Sequence, residues 1–313
     1  MFKVGIVGCG GISGVHVPGW NKLDDCEIVA ICDVRQEMMD KYPGPRQYLS
    51  FDEMLEKEEL DIVDICLPTY LHAEYSMKAM EKGINVLCEK PVSLNREDVK
   101  KVYECAEKNG VKFMIAQVLR FWPEYEKVKE LYYNKTYGEL LCGRMQRLGN
   151  TPKWSWDDWM QDESRSGYVP LDLHIHDLDW IVYTFGAPKA QKSYRCKRTE
   201  QDQLTVNYEF DGFYINAEAC WNWAPTPFSA GFRFTFEEAV VEYNGGMTIF
   251  QNDGKIINLA EASGDAGVIN LPKTDAYGEE IRYFRDCVAN NVAPDKVKAE
   301  ELETVLAIIE TFN

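Results

Sequence analysis

The sequence predicts an α/β protein: an N-terminal Rossmann domain with a doubly wound parallel sheet, then a C-terminal α+β domain built on a large open, mainly antiparallel sheet. Three observations carry this expectation. Short apolar runs alternate with helical patterns over roughly the first 120 residues, which implies right-handed crossovers and parallel pairing. A glycine-rich turn, Gly8-Cys9-Gly10-Gly11, joins the first run to the first helix. Further on, apolar runs are linked by tight turns such as Asp211-Gly212 and Asn244-Gly245, which demand antiparallel neighbours. The domains are accordingly placed at residues 1–119 and 120–313, with the last helix free to pack back on the first.

The elements follow in order. Lys3–Val7 reads as the first strand, and the helix after the glycine turn is expected to break at Pro18-Gly19. Glu27–Cys32 is the second strand and ends at Asp33. Ser50-Phe51-Asp52-Glu53 has the form of a capping box, where a hydroxyl and a carboxylate satisfy the first amides of a helix. Asp61–Leu67 is the third strand, followed by a helix through Lys82 that Gly83 stops. After strand Asn85–Cys88, the residues Val99, Val102, Tyr103 and Ala106 mark one face of a helix ending at Asn109-Gly110. Lys112–Gln117 completes the parallel set. In the second domain Arg144–Leu148, Leu204–Phe210, Phe213–Cys220 and Phe232–Tyr243 read as strands, and Tyr277–Asn290 and Glu300–Phe312 as closing helices.

A chain of 313 residues can bury two cores, and 45% hydrophobic with 27% charged residues is an ordinary globular balance. The net charge of -17, with no basic run to offset it, argues against nucleic acid and against an anionic membrane surface. No apolar segment is long enough to cross a bilayer, and the opening residues enter a strand pattern without a charged-then-apolar leader. Ten cysteines include no C-x-x-C pair, and Cys32, Cys66 and Cys88 fall inside apolar runs where a thiol packs as a small hydrophobe. A disulfide framework or zinc knuckle is the weaker reading, and a reducing, cytoplasmic setting is expected.

The chemistry begins at the glycine turn. Gly8, Gly10, Gly11 and Ile12 lead from a strand into a helix, where small residues let backbone N–H groups approach a pyrophosphate at the helix N-terminus. Ser13 stands where G-x-G-x-x-G would place its third glycine. Asp33 closes the second strand, and a carboxylate there accepts from both adenosine ribose hydroxyls and repels a 2′-phosphate. NAD is therefore favoured, while Arg35 leaves NADP use open.

Two more constellations stand out. Lys90, in Cys88-Glu89-Lys90-Pro91, follows a strand and so emerges at the carboxyl edge of the sheet, with Pro91 able to hold an unusual turn or a cis bond. Asp172-Leu173-His174-Ile175-His176-Asp177-Leu178-Asp179 is the densest polar cluster and holds two of the four histidines. If helical, it sets Asp172, His176 and Asp179 on one face, suited to proton transfer at a hydroxyl. A metal site and a plain helix cap are the two other readings.

Taken together, these residues resemble the Gfo/Idh/MocA family of glucose–fructose oxidoreductases and inositol dehydrogenases. The resemblance runs along the whole chain: Gly8-Cys9-Gly10 with His16, Leu67-Pro68-Thr69 with His72, Glu89-Lys90-Pro91, Arg120-Phe121-Trp122-Pro123, Asp172…His176…Asp179, and Tyr277…Glu280…Phe284. It implies an NAD(P)-linked oxidation or reduction at a hydroxyl-bearing carbon of a sugar, cyclitol or related polyol. It further implies Lys90 and His176 as the acid/base pair, Asp172 as the residue orienting substrate or His176, and coenzyme contacts from Pro68, Thr69, His72, Glu89, Lys90 and Gln117.

Two positions depart from the family pattern: His174 stands where relatives carry glycine, and Gly167-Tyr168 where they carry a glycine pair. Arg120, Trp159, Arg165 and His174 are the candidate substrate contacts, with the indoles of the Trp154–Trp159 stretch suited to the C–H face of a sugar. No metal is assigned. A non-catalytic NAD-sensing regulator and an NAD-dependent glycoside-cleaving enzyme are the alternatives on the same fold. An uncovered sheet face in the second domain predicts a homodimer or homotetramer.

Overall fold

The computed structural model describes residues 1–259 and 275–312, which group into two compact units. The first comprises Met1–Val118 and Asp275–Glu303; the second comprises the described part of Leu119–Thr274 together with Thr304–Asn313.

The first unit is a six-stranded, all-parallel sheet. Its strands are β1 (Phe2–Val7), β2 (Cys26–Cys32), β3 (Arg46–Tyr48), β4 (Ile62–Ile65), β5 (Asn85–Glu89) and β6 (Phe113–Ala116), in the order β3-β2-β1-β4-β5-β6. The strand order reverses between β1 and β4, so the turns leaving β1, β4 and β5 open on one edge. Val4, Ile6, Ile31, Ile62, Val63, Ile65, Val86, Leu87 and Met114 are fully buried, as expected of a sheet covered on both faces. The covering helices are α1 (Ser13–Asn21), α2 (Gln36–Met39), α3 (Phe51–Lys57), α4 (His72–Met80), α5 (Arg96–Asn109) and α9 (Ala276–Ala289).

Local signals account for most of these boundaries. Ser50 Oγ accepts from the Glu53 amide at 3.3 Å and caps α3, while the Glu53 carboxylate turns to Lys57 at 2.5 Å instead of closing the box. Gly110 takes φ 67° at the end of α5. One expectation fails and one strand was not foreseen. The helix does not break at Pro18-Gly19: α1 runs through Pro18, and Gly19 lets Ile281 of α9 approach closely. The strand β3 is three polar-rich residues at the sheet edge, too short to show any periodicity.

The second unit is an eight-stranded sheet with helices on one face. Its elements are α6 (Pro123–Tyr133), β7 (Leu140–Asn150), α7 (Glu163–Ser166), α8 (Ile175–Phe185), β8 (Ala190–Arg198), β9 (Gln201–Glu209), β10 (Tyr214–Asn222), β11 (Ser229–Phe236), β12 (Ala239–Tyr243), β13 (Met247–Gln251) and β14 (Ile256–Leu259), and it takes the part of α10 (Ala299–Ile309) from Thr304 onward, the first turn of α10 belonging to the first unit. The order is β14-β13-β12-β11-β7-β10-β9-β8, antiparallel except for β7 with β10.

The alternation along each strand divides the faces. Ile249, Val241, Phe234, Gly143, Ile215 and Tyr208 pair strand to strand in one buried row. Tyr125 of α6 meets Phe232 edge-on at 5.0 Å, and Trp180 of α8 meets Phe234 at 5.6 Å, so aromatic packing seats these helices. Phe232–Tyr243, expected as one strand, is a hairpin turned at Glu237-Glu238. Edge strand β8 escaped notice because its charged, exposed residues carry no apolar alternation.

Candidate active site

At the exit of β1 the chain makes a turn that only glycine tolerates at its first position. Gly8 has φ +91°, and a Cβ there would lie 2.5 Å from the Cys66 carbonyl oxygen. Gly10 is different: a Cβ would meet nothing within 4 Å, because the turn faces open space. Among the described residues, none accepts from the amides of Gly10, Gly11 or Ile12, which precede the first residue of α1. Outward amides, open space and a helix N-terminus fit the diphosphate of a dinucleotide.

The carboxylate of Asp33 is fixed beside that turn. Its Oδ2 accepts from the Cys9 amide at 2.8 Å, and its Oδ1 from the Arg35 amide at 2.9 Å, with Arg35 Nε at 3.4 Å. Both acceptor sites of Oδ1 are used by Arg35, while Oδ2, with one bond, keeps lone-pair capacity for a ribose hydroxyl. Burial, then the charge of Asp33, push the Cys9 thiol up to about 12, so it packs beneath the turn and is no nucleophile. The departure at Ser13 is absorbed locally, its hydroxyl donating to the Gly10 carbonyl at 2.8 Å.

Lys90 leaves the end of β5, half-exposed, and Lys90–Pro91 is a cis peptide. Its neighbours are held from below. The Lys90 amide donates to Glu89 Oε2 at 3.1 Å, while Glu89 Oε1 lies 2.9 Å from His16 Nε2. His16 Nδ1 is 2.8 Å from Asp64 Oδ2, which also accepts from Trp20 Nε1 at 2.7 Å. Burial disfavours a charge on His16, but Asp64 outweighs it and holds the imidazole pKa well above its ordinary value. Glu89 is likewise opposed by burial, yet the His16 bond and charge hold its pKa below the usual range. On the other side, His72 spans the Pro91 carbonyl at 2.6 Å and the Leu67 carbonyl at 2.7 Å. Burial pushes its pKa down, against the two carbonyl bonds, which favour the protonated ring.

His72 and Glu89, expected to touch coenzyme, are both buried, with polar atoms bonded around the turn that carries Lys90. Pro68 is partly exposed beyond β4, and Thr69 is buried beside it. Gln117, just past β6, is buried with its Nε2 lacking a partner among the described residues. His16, named only for the resemblance, and Asp64 were missed as a charged pair; the lone carboxylate inside the apolar run Ile62-Val63-Asp64-Ile65 was the available signal.

In the second unit, a π-type turn over Pro170–His174 runs into α8. Asp172 and His176 are both partly exposed, while their neighbours turn inward. Asp179 does not join them: it is buried in a fork with Arg120, Nη2 to Oδ1 at 2.7 Å and Nε to Oδ2 at 2.8 Å. Asp177 pairs with Arg147 at 2.9 Å, anchoring α8 to β7. His174 is fully buried, with Nε2 2.7 Å from the Tyr208 hydroxyl, and burial lowers its pKa to about 3. Arg120 and His174, expected as substrate contacts, are both buried and bonded within the second unit, to Asp179 and to Tyr208.

Trp159 and Arg165 lie in the stretch before the cluster. Arg165 Nη1 donates to the Asp157 carbonyl at 3.0 Å and to its carboxylate at 3.1 Å, and Trp159 is partly exposed. Trp154 and Trp223 are 60% and 63% exposed, the wettest indoles named in the second unit. All ten cysteines are free, and among the described residues no helix is long and apolar enough to cross a membrane.

A six-stranded Rossmann sheet with an open glycine turn, followed by an eight-stranded sheet carrying an Asp-His cluster, defines a class of two-part Rossmann-fold proteins. The chain belongs to the GFO/IDH/MocA oxidoreductase family: the family model for an NAD-binding Rossmann fold matches residues 2–117, and that for the GFO/IDH/MocA C-terminal domain matches residues 125–242. Glucose-6-phosphate 3-dehydrogenase of Bacillus subtilis is 26% identical over 226 residues, 68% of this chain and 64% of that one. Myo-inositol 2-dehydrogenase of Thermotoga maritima is 31% identical over 188 residues, 59% of this chain and 55% of that one. The match thus spans under two thirds of these relatives' lengths. A solved levoglucosan dehydrogenase, in complex with NADH and levoglucosan, shares the fold with a TM-score of 0.84 at 16% identity, covering 99% of this chain and 95% of that one.

Proposed function

We propose that the protein is an NAD(P)-dependent dehydrogenase, with NAD preferred, that moves hydride between nicotinamide and a hydroxyl-bearing carbon of a sugar, cyclitol or related polyol. The observation that carries this reading is the open glycine turn. Its outward amides stand next to a fixed Asp33, and Lys90 emerges from the same sheet edge. Gly8, Gly10, Gly11 and Ile12 take the diphosphate, Asp33 the adenosine ribose, and Arg35, Pro68, Thr69 and Gln117 line the remainder.

Bound nicotinamide supplies hydride acceptance or donation; the chain supplies the rest. Lys90 and His176 handle the hydroxyl proton, and Asp172 orients substrate or holds His176 in its working tautomer. Trp159 and Arg165 offer an aromatic face and a donor fork to a polyol.

The second unit supports self-association with another copy of this chain. Ile256, Phe250, Val240, Thr235, Cys142 and Tyr214 pair across six strands in a row that, among the described residues, no helix of that unit covers, with Ile256 59% and Tyr214 51% exposed. We assign the protein to the cytoplasm, in keeping with its free thiols.

The test is a panel of sugars, inositols and related polyols with NAD and NADP, read at the reduced-nicotinamide absorbance band, alongside calorimetry of each coenzyme. Turnover with one polyol, and its loss in Lys90→Met with NAD binding kept, is expected. Absence of binding heat with both coenzymes would sink the reading.

A further inference from the structure

The first unit buries a chain of three ionisable groups that coenzyme binding does not explain. Asp64 rises from β4, His16 from α1 and Glu89 from β5, and their side chains are 0%, 0% and 9% exposed. Both ring nitrogens of His16 face carboxylates, at 2.8 and 2.9 Å, so the ring donates in both directions and carries two protons. One imidazolium between two carboxylates leaves the group with a net negative charge. Groups around it include Trp20 Nε1, Cys66 just past β4, Cys88 of β5, Lys90, His72, and the Tyr277 ring of α9 at 6.0 Å from the imidazole.

Such an ion triad is a poor device for stability. Apolar side chains of similar volume often serve a core as well or better. What apolar groups cannot do is fix the orientation of a carboxylate, and here the fixed carboxylate ends on the Lys90 amide. On the far side of the lysine, His72 reaches the Pro91 carbonyl.

We propose that Asp64, His16 and Glu89 form a buried positioning chain for Lys90, in which His16 locks Glu89 so that its second oxygen holds the lysine's backbone. The proposal rests on the reading of Lys90 as a proton-handling residue. It adds three positioning residues that do not touch substrate, and it links the helix behind the coenzyme turn to the lysine's strand end through one imidazole.

Hydrogen exchange on the free protein tests it directly. In His16→Gln, exchange at the Lys90 amide should accelerate at least tenfold, while the Val86 amide, bonded to the Lys112 carbonyl at 2.8 Å in the same strand, stays within twofold. Glu89→Gln, which keeps the side-chain volume, should do the same and decides the matter if His16→Gln does not fold. With the polyol found by the panel, both variants should lose tenfold or more in kcat, with KM and NAD affinity within threefold. Unchanged exchange at Lys90, or equal acceleration at Val86, would overturn the proposal. So would full kcat with only a lower Tm. Lys90→Met separates the two ideas: a fully active Lys90→Met enzyme sinks the functional reading, whereas an inactive one beside unimpaired His16→Gln and Glu89→Gln enzymes sinks only the positioning chain.

Discussion

Arg120 grips Asp179 with two N–H groups on one edge of its guanidinium, at 2.7 and 2.8 Å, and both side chains are buried. The Tyr183 ring covers the guanidinium at 4.5 Å. Asp179→Ala should therefore strand a buried cation and cost about 3–5 kcal/mol, read as a lower urea midpoint with an unchanged slope. The pair Arg120→Met with Asp179→Leu should cost much less. If the single and double variants are equally destabilised, the fork is not the source of the loss.

His174 makes the fold acid-sensitive. Its folded pKa, near 3, lies below the ordinary imidazole value, so the unfolded chain binds the proton first. The stability this contributes is complete above about pH 6.5 and drains as pH falls towards 3, by about 2 kcal/mol at pH 5. Urea unfolding of wild type and His174→Gln at pH 7 and pH 5 measures it. The variant should lose less stability than wild type over that interval, and parallel losses would refute the assignment.

His16 works in the opposite sense to His174, whereas Glu89 works in the same sense. The raised pKa of His16 gives stability that is fully present below about pH 6.5 and fades as pH rises through the folded value. The lowered pKa of Glu89 gives stability present above about pH 4.5 and lost as pH falls. The penalty of His16→Gln should be greatest near pH 5–6 and shrink in alkali. A penalty that grows with pH would mean that His16 is neutral in the fold.

The two glycines of the turn should fail differently. Gly8→Ala puts a Cβ against the Cys66 carbonyl at a positive φ and should lower Tm by several degrees. Gly10→Val meets open space, so Tm should hold while NAD affinity falls more than tenfold by calorimetry. Equal NAD affinity in Gly10→Val and wild type would remove the turn from coenzyme binding.

His176→Ala should reduce kcat by about 10²–10⁴ with NAD affinity unchanged, as for a proton-handling group outside the coenzyme turn. Stopped-flow rates with the preferred polyol, set beside coenzyme titrations, check it. A loss confined to KM would make His176 a binding residue.

The features legible in the sequence are those written in neighbouring residues. The glycine turn, Asp33 at a strand end and Lys90 after β5 each depend on a few adjacent positions. What escaped depends on distant partners: Asp64 lies 48 residues and Glu89 73 residues from His16, and Asp179 lies 59 from Arg120. His174 and His176, two residues apart, have opposite surroundings because neighbours at that spacing lie about 200° apart around a helix. Which of the two faces is buried depends on Tyr208, 34 residues away from His174.

Strand β7 has consequences for how the second unit is assembled. Its partners β10 and β11 both come about 70 or more residues later, whereas β8 to β10 and β11 to β14 are each stitched by neighbouring hairpins. During synthesis β7 is thus a strand with two vacant edges until both ribbons exist, and its insertion unites them. The step most exposed to aggregation is the wait of this single segment, and a chaperone that shields Leu140–Asn150 would act at the point where two separate ribbons become one sheet.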